Sequence, residues 1–374
     1  MTKKAKVWLI IAIVAVIGIA LAIINSSMLK EKSNVSAYKI GAVLPLTGGT
    51  AHLGTSMQKG MEFAAEEINN NGGINGHKIK VITQDGKMDG MESVSAANFL
   101  LNIENPDVFS VLFAPPAQAI SPILKEAKKP MIYEAFIYSI LDENPYAFKT
   151  NFDPVAGCEK LVKYAKEHNQ YTKLGVMMPL GEWTDLCLEG IKKVEPSVAE
   201  YLYALDDSDY KTNFTKAYNN GIDGLVTIPV FDPINMFKQF SELGYPIKIF
   251  TATASESIYP AVAEAASTEA LDGILGIDIV PANLAETEFG KNYSSKYNNP
   301  DNVEYAYAAM GYEEVQFIAE AMKNCDPGDS KCLSKELEKV KEYNTVIGSN
   351  GFKNRVLQMD TTMYEYRNGW NKVE

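Results

Sequence analysis

Histidine, cysteine and basic charge are all scarce in this chain, and each shortage removes a class of function. Only three histidines (His52, His77, His168) and four cysteines stand among 374 residues. No Cys-x-x-Cys or His-x-x-x-His spacing occurs, so no metal site is supported. The formal net charge is -12. Lys3, Lys4, Lys6 and the Lys30-Glu31-Lys32 stretch are net positive, which leaves about -16 on the remainder. A body that acidic repels phosphate backbones, and nucleic acid is not an expected partner. The glycine pairs Gly48-Gly49 and Gly72-Gly73 are too sparse for a phosphate loop, and no GxxxxGK[ST] or GxSxG stretch is found. The acids Asp85 and Asp89, or Glu66 and Glu67, sit at spacings typical of exposed faces, with no second catalytic partner. An enzyme is not expected, nor a cofactor.

What is there begins at the N-terminus. Lys3, Lys4 and Lys6 precede an apolar run from Val7 to Ile24, broken only by Gly18. At roughly 18 residues the run is near the minimum for a bilayer-crossing helix. Lysines stay on the cytoplasmic side, which puts everything C-terminal outside. An uncleaved anchor over 1–27 with a polar tether over 28–37 is the favoured reading, with membrane attachment through that helix. Secretion after signal cleavage is the alternative, although the nearest good cut site, Val35-Ser36-Ala37, is well downstream. No cysteine follows the run closely, so a lipoprotein anchor is excluded. Either way the body is extracytoplasmic.

That compartment allows disulfides. Cys325 and Cys332 bracket the turn-rich Asp326-Pro327-Gly328-Asp329 and could close a small loop. Cys158 and Cys187 fall in expected helices and read equally well as buried thiols or as a bridge.

With 46% hydrophobic and 22% charged residues, the chain is long enough for two core-forming units. Tyr38 to Leu44 reads as a strand, and Ser56 to Asn69 as a helix with Met57, Met61, Ala64, Ala65 and Ile68 on one face. Asn70-Asn71-Gly72-Gly73 stops it. A strand over Lys78 to Gln84, a helix over Met91 to Asn102 and a strand over Val108 to Ala114 follow. The same rhythm returns from Lys173 to Thr251. Strands alternating with amphipathic helices predict parallel sheets covered on both faces.

The stretch KIGAVLPLTGGTAHLGTSMQKGMEFAAEEINNNGGINGHKIKVITQD, from Lys39 to Asp85, resembles the opening of the type I periplasmic binding proteins, in particular the leucine/isoleucine/valine receptor family. Val111 to Ile132, Asn144 to Pro154, Tyr305 to Met322 and Asn344 to Trp370 resemble later segments of the same family, in order. The resemblance implies an α/β fold of two Rossmann-like parallel-sheet lobes joined by three crossovers, here preceded by a transmembrane helix. It places the crossings near Thr150–Asp153, Val280–Pro281 and Gly348–Gly351. One lobe would then hold 38–152 and 281–348, and the other 153–280 and 349–374. The function implied is an extracytoplasmic solute-binding protein of an ABC importer, closing its lobes on a small molecule and engaging an ABC permease. A ligand-sensing ectodomain or a protein-binding scaffold of the same fold is the alternative.

By the same resemblance, ligand contacts fall on loops after the carboxyl ends of strands. A zwitterionic amino acid needs hydroxyls and N–H groups for its carboxylate and an acid for its ammonium. This chain departs from that pattern. It has Phe113, Ala114 and Pro115 after the third strand, Glu134, Ala135 and Phe136 after the fourth, and Thr253 where an acid often stands. The expected ligand-binding set is Leu53, Gly54, Phe113, Ala114, Pro115, Glu134, Ala135, Phe136, Asp153, Trp183, Phe231 and Thr253. Tyr133 and Tyr138 add to an aromatic group that could line the cleft or serve as packing. The ligand expected is an amino acid or another small, aromatic or apolar solute.

Overall fold

The computed structural model describes residues 37–229, 231–254, 258–281, 283–298 and 302–373. The expected anchor over 1–27, and the tether apart from Ala37, lie outside the described residues. Among those described, no helix is long and apolar enough to cross a membrane.

Two seven-stranded sheets carry the fold. The first is built from β1 (Tyr38–Leu44), β2 (Ile79–Asp85), β3 (Val108–Leu112), β4 (Met131–Glu134) and β5 (Ala147–Thr150). These are all parallel, in the order 5-4-3-1-2. Their connections are α1 (Ala51–Asn70), α2 (Gly90–Phe99), α3 (Ala114–Glu126) and the short α4 (Ser139–Glu143). β1, β3, β4 and β5 are buried almost throughout, as central strands covered on both faces should be.

After Thr150 the chain enters the second unit through α5 (Pro154–Glu167). There β6 (Leu174–Met177), β7 (Ala199–Glu200), β8 (Gly224–Thr227), β9 (Lys248–Thr251) and β10 (Leu275–Asp278) run parallel, in the order 10-9-8-6-7. They alternate with α6 (Glu182–Val194), α7 (Tyr210–Asn219), α8 (Pro233–Leu243), α9 (Pro260–Ala265) and α10 (Thr268–Leu271). α5 and α6 are joined by a disulfide between Cys158 and Cys187.

α11 (Glu288–Tyr297) and α12 (Asn302–Met322) bring the chain back onto the first unit. α12 lies against α1 so closely that a Cβ on Gly60 would stand 1.9 Å from the Ala308 carbonyl oxygen. Glycine is therefore a packing requirement there. α13 (Ser330–Leu337) follows, and Cys325 and Cys332 are bonded just ahead of and within it.

The third crossing is displaced from Gly348–Gly351. β11 (Phe352–Lys353) and β12 (Val356–Leu357) form a hairpin that still belongs to the first sheet, with Val356 paired to Lys149 of β5. Only β13 (Thr362–Tyr366) and β14 (Trp370–Lys372) join the second sheet, so the chain crosses between 358 and 361. The cause is a two-residue turn at Asn354 and Arg355, both with positive φ, as the tight hairpin turns require. The Arg355 guanidinium pins this hairpin by donating to the carbonyls of Leu141, Asn144 and Ala147.

Candidate functional site

In both sheets the carboxyl ends of the parallel strands lead into loops that face the other unit. From the first come the turn ahead of α1, the β3–α3 junction and the β4–α4 loop. From the second come the β6–α6, β8–α8 and β9–α9 loops.

The first turn of α1 sets Leu53 and Gly54. Leu53 is buried in the core. A Cβ on Gly54 would meet the Pro45 carbonyl oxygen at 2.0 Å, so this position serves close packing of α1 on its loop. His52, on the same turn, lies 5.8 Å from the Tyr259 ring of the other unit. Helix α1 also starts earlier than its apolar spacing predicts, at Ala51 rather than Ser56.

Phe113 ends β3 with φ +73° and ψ 156°, a conformation that bulky residues avoid and that persists only where the surroundings enforce it. Its ring meets Phe231 of the second unit at 6.3 Å and Tyr307 of α12 at 6.2 Å. Ala114 and Pro115 open α3 directly behind it, where proline costs no hydrogen bond.

The β4–α4 loop carries the densest contacts. Ala135 is buried. Phe136 stacks on Trp183 of the second unit, with centroids 3.9 Å apart and planes within 9°. It also meets Phe152, at the first crossing, edge-on at 5.0 Å. The backbone N–H groups of Tyr138 and Ser139 both donate to one Glu182 oxygen, at 2.6 and 2.9 Å. The indole N–H of Trp183 is buried and has no partner among the described residues. Tyr133 is core rather than cleft, fully buried with its hydroxyl donating to the Ile137 carbonyl.

The two acids in the expected set are engaged internally. Asp153 caps α5, accepting from the N–H groups of Val155 and Ala156 at 2.9 and 3.4 Å. Glu134 lies beneath the first crossing and accepts from the Asn151 side chain. Burial pushes its carboxyl up to about 7, against the opposing pull of the Asn151 bond and the Lys149 charge. Lys149 is itself fully buried and drawn down to about 8 by that burial, with Glu134 opposing. Its ammonium donates to the carbonyls of Asn151 and Phe152 at 2.9 and 3.0 Å and sits 4.9 Å from the Tyr138 ring centroid. Glu314 of α12 completes the group, pushed up to about 8 by burial, with the Glu134 charge adding. A cavity of about 10 Å³ lies between these acids and Ile279, Ile347, Leu357 and Met359, room for about one water. Thr253, after β9, is buried and exchanges contacts with Thr251.

The structure therefore pairs Phe113 with Phe231 and Phe136 with Trp183 across the interlobe junction, while Leu53 and Gly54 fall in the first turn of α1, Ala114 and Pro115 in the first turn of α3, and Ala135 and Thr253 just after β4 and β9. Glu182 and Lys149 are the residues that pattern reading passed over. An acid opening a helix on a cleft-side loop was a usable signal for the first. A lysine inside an otherwise apolar strand was a usable signal for the second.

Comparison with known proteins fits this geometry. The family described as periplasmic binding protein matches residues 37–369. A relative named Leu/Ile/Val-binding protein homolog 7, from Brucella abortus (strain 2308), is 24% identical over 331 residues, covering 81% of each chain. Among solved structures, a leucine-binding protein from Thermotoga maritima MSB8 superposes with a TM-score of 0.79 at 18% identity, covering 90% of this chain and 98% of that one. A solute-binding protein of an ABC transporter from Rhodopseudomonas palustris BisB5, in complex with 3,4-dihydroxybenzoic acid, gives 0.75 at 20% identity, covering 89% of this chain and 94% of that one.

Proposed function

The chain belongs to the periplasmic binding protein family, and from that premise we propose that it is the extracytoplasmic solute receptor of an ABC importer. In this reading its two lobes close on a small molecule with an apolar or aromatic body and at least one hydrogen-bond acceptor. The observation that carries the reading is the meeting of Phe113 with Phe231 and of Phe136 with Trp183, each pair drawn from opposite lobes. Aromatic faces offer stacking and edge contacts to a flat or branched apolar body. A buried indole N–H without a partner is costly, and an acceptor on the ligand would satisfy it. In this reading Leu53, Gly54, Ala114, Pro115, Ala135 and Thr253 support the segments that carry these rings.

An ammonium group is poorly served here. Glu134 and Asp153, the acids expected near the cleft, are committed to the hinge and to a helix cap. An aromatic or branched apolar body carrying a hydrogen-bond acceptor and no ammonium group suits the residues better than a free amino acid. The importer's permease would read the closed form. The expected anchor over 1–27 would tether the receptor to the membrane and raise its concentration beside that permease.

Thermal denaturation with a panel tests the ligand class. Benzoate, 4-hydroxybenzoate and 3,4-dihydroxybenzoate form one arm, and leucine, isoleucine and valine the other. A ligand at about 100 times its dissociation constant adds about 2.7 kcal/mol of stability, a clear upward shift in melting temperature. The aromatic arm is expected to give it, and Trp183→Ala to remove most of it. A response only to the aliphatic amino acids would overturn the ligand class. A flat panel with capture of an envelope protein would favour the scaffold reading.

A further inference from the structure

We propose that Glu182 and Trp183 of one lobe and Phe136 to Ser139 of the other form a latch that holds the lobes together without any ligand, with Glu182 as its positioning residue. The Tyr138 and Ser139 N–H groups stand at the start of α4, where helical hydrogen bonding leaves donors without partners. Glu182, reaching across from the first turn of α6, takes both on one carboxylate oxygen at 2.6 and 2.9 Å. Charge-assisted bonds of this kind are among the stronger ones. Separation of the lobes breaks both and returns donors and carboxylate to water. Immediately beside them, Trp183 lies flat on Phe136 at 3.9 Å. The contact is thus polar and apolar at once, from consecutive residues on each side.

The first-lobe half of the latch is braced against the hinge by two routes. Phe136 packs on Phe152 at the first crossing. The Tyr138 ring faces the Lys149 ammonium, which in turn holds the Asn151 and Phe152 carbonyls. The β4–α4 loop is therefore tied to the crossing segment, and Glu182 meets a preformed pair of donors. A ligand then shifts an equilibrium that the latch biases towards closure, and its apparent affinity scales with the closed fraction. Glu182 would set that affinity without contacting the ligand.

The functional meaning rests on the receptor reading above, but the latch is tested with no ligand present. Wild type and Glu182→Ala are unfolded, stripped of any captured solute and refolded. They are then compared by small-angle scattering and by hydrogen exchange of the peptide spanning 137–142. The variant is expected to show a larger radius of gyration and roughly tenfold faster exchange at 138 and 139. Identical scattering and identical exchange would overturn the latch. Should the alanine variant fail to refold, Glu182→Gln, which keeps the shape and drops the charge, carries the same comparison. A protein that binds panel solutes yet shows no difference here refutes the latch and leaves the receptor standing. One that opens on substitution but binds no panel member does the reverse.

Discussion

The ionisable residues with the greatest leverage are the ones the fold buries around the first crossing. Glu134 and Glu314 are raised from 4.5 to about 7 and about 8, chiefly by burial. The unfolded chain has already released these protons at pH values where the folded chain still holds them. Their contribution to stability is complete below the unfolded pKa and is lost as pH climbs through the folded values. Lys149 acts in the opposite sense. Its pKa is lowered from 10.5 to about 8, so its contribution is complete above 10.5 and is lost as pH falls through about 8. The stability curve should therefore descend from pH 5 towards 8 and recover above it. Glu314→Gln keeps the side-chain shape and removes the charge. It should match wild type near pH 5 and exceed it by about 1–3 kcal/mol near pH 8. Urea unfolding at the two pH values measures this, and an unchanged gap between the proteins would refute it.

Among the elements, the two disulfides differ in what they restrain. Cys158–Cys187 ties α5 to α6 across a separation of 29 residues, whereas Cys325–Cys332 spans 7. Loop-closure entropy assigns about 3–4 kcal/mol to the first and about 2–3 kcal/mol to the second. The double alanine variant at 158 and 187 should therefore be less stable in urea than the double alanine variant at 325 and 332. Dithiothreitol should open Cys325–Cys332 first, because Cys332 is half-buried while Cys158 and Cys187 are sealed. The same elements show what sequence reading can reach. The strands were legible because apolar runs such as Tyr38–Leu44 and Gly224–Ile228 are bounded by loops rich in glycine and proline. The β11–β12 hairpin was not, because its turn uses Asn354-Arg355 where a reader looks for Asn-Gly, and its anchor is a guanidinium bound to distant carbonyls. In the candidate site, the loops were legible from the family resemblance together with the strand-helix rhythm. What stayed hidden was direction: Tyr133 turns into the core while Phe136 turns towards Trp183, and only tertiary packing decides between neighbours on one loop.

For the molecule as a whole, the question is whether the folded part needs anything before residue 37. Tyr38 opens β1 already committed on three sides. Its N–H donates to the Lys78 carbonyl, and its hydroxyl donates to the carbonyls of Met322, the last residue of α12, and Cys325 just beyond it. The first residue of the first strand thus closes the first lobe onto the returning helix. The two-sheet architecture is completed within the described residues, and the family match spans the same stretch, 37–369. That closure draws on nothing before residue 37, which sets up a test of whether residues 1–36 contribute to folding. A fragment comprising 37–374 should melt within about 2 °C of the full chain, a shift of about 1 kcal/mol, and respond identically to the ligand panel. Fractionation should separate the two: the full chain with the membranes and resistant to alkaline carbonate, the fragment in the soluble fraction. A full chain recovered soluble, with a mass showing loss of the Lys3–Ile24 segment, would replace the anchor with a cleaved signal and leave the receptor reading intact. A fragment that failed to fold would mean that the N-terminal segment contributes to the first lobe, contrary to the closure that Tyr38 makes.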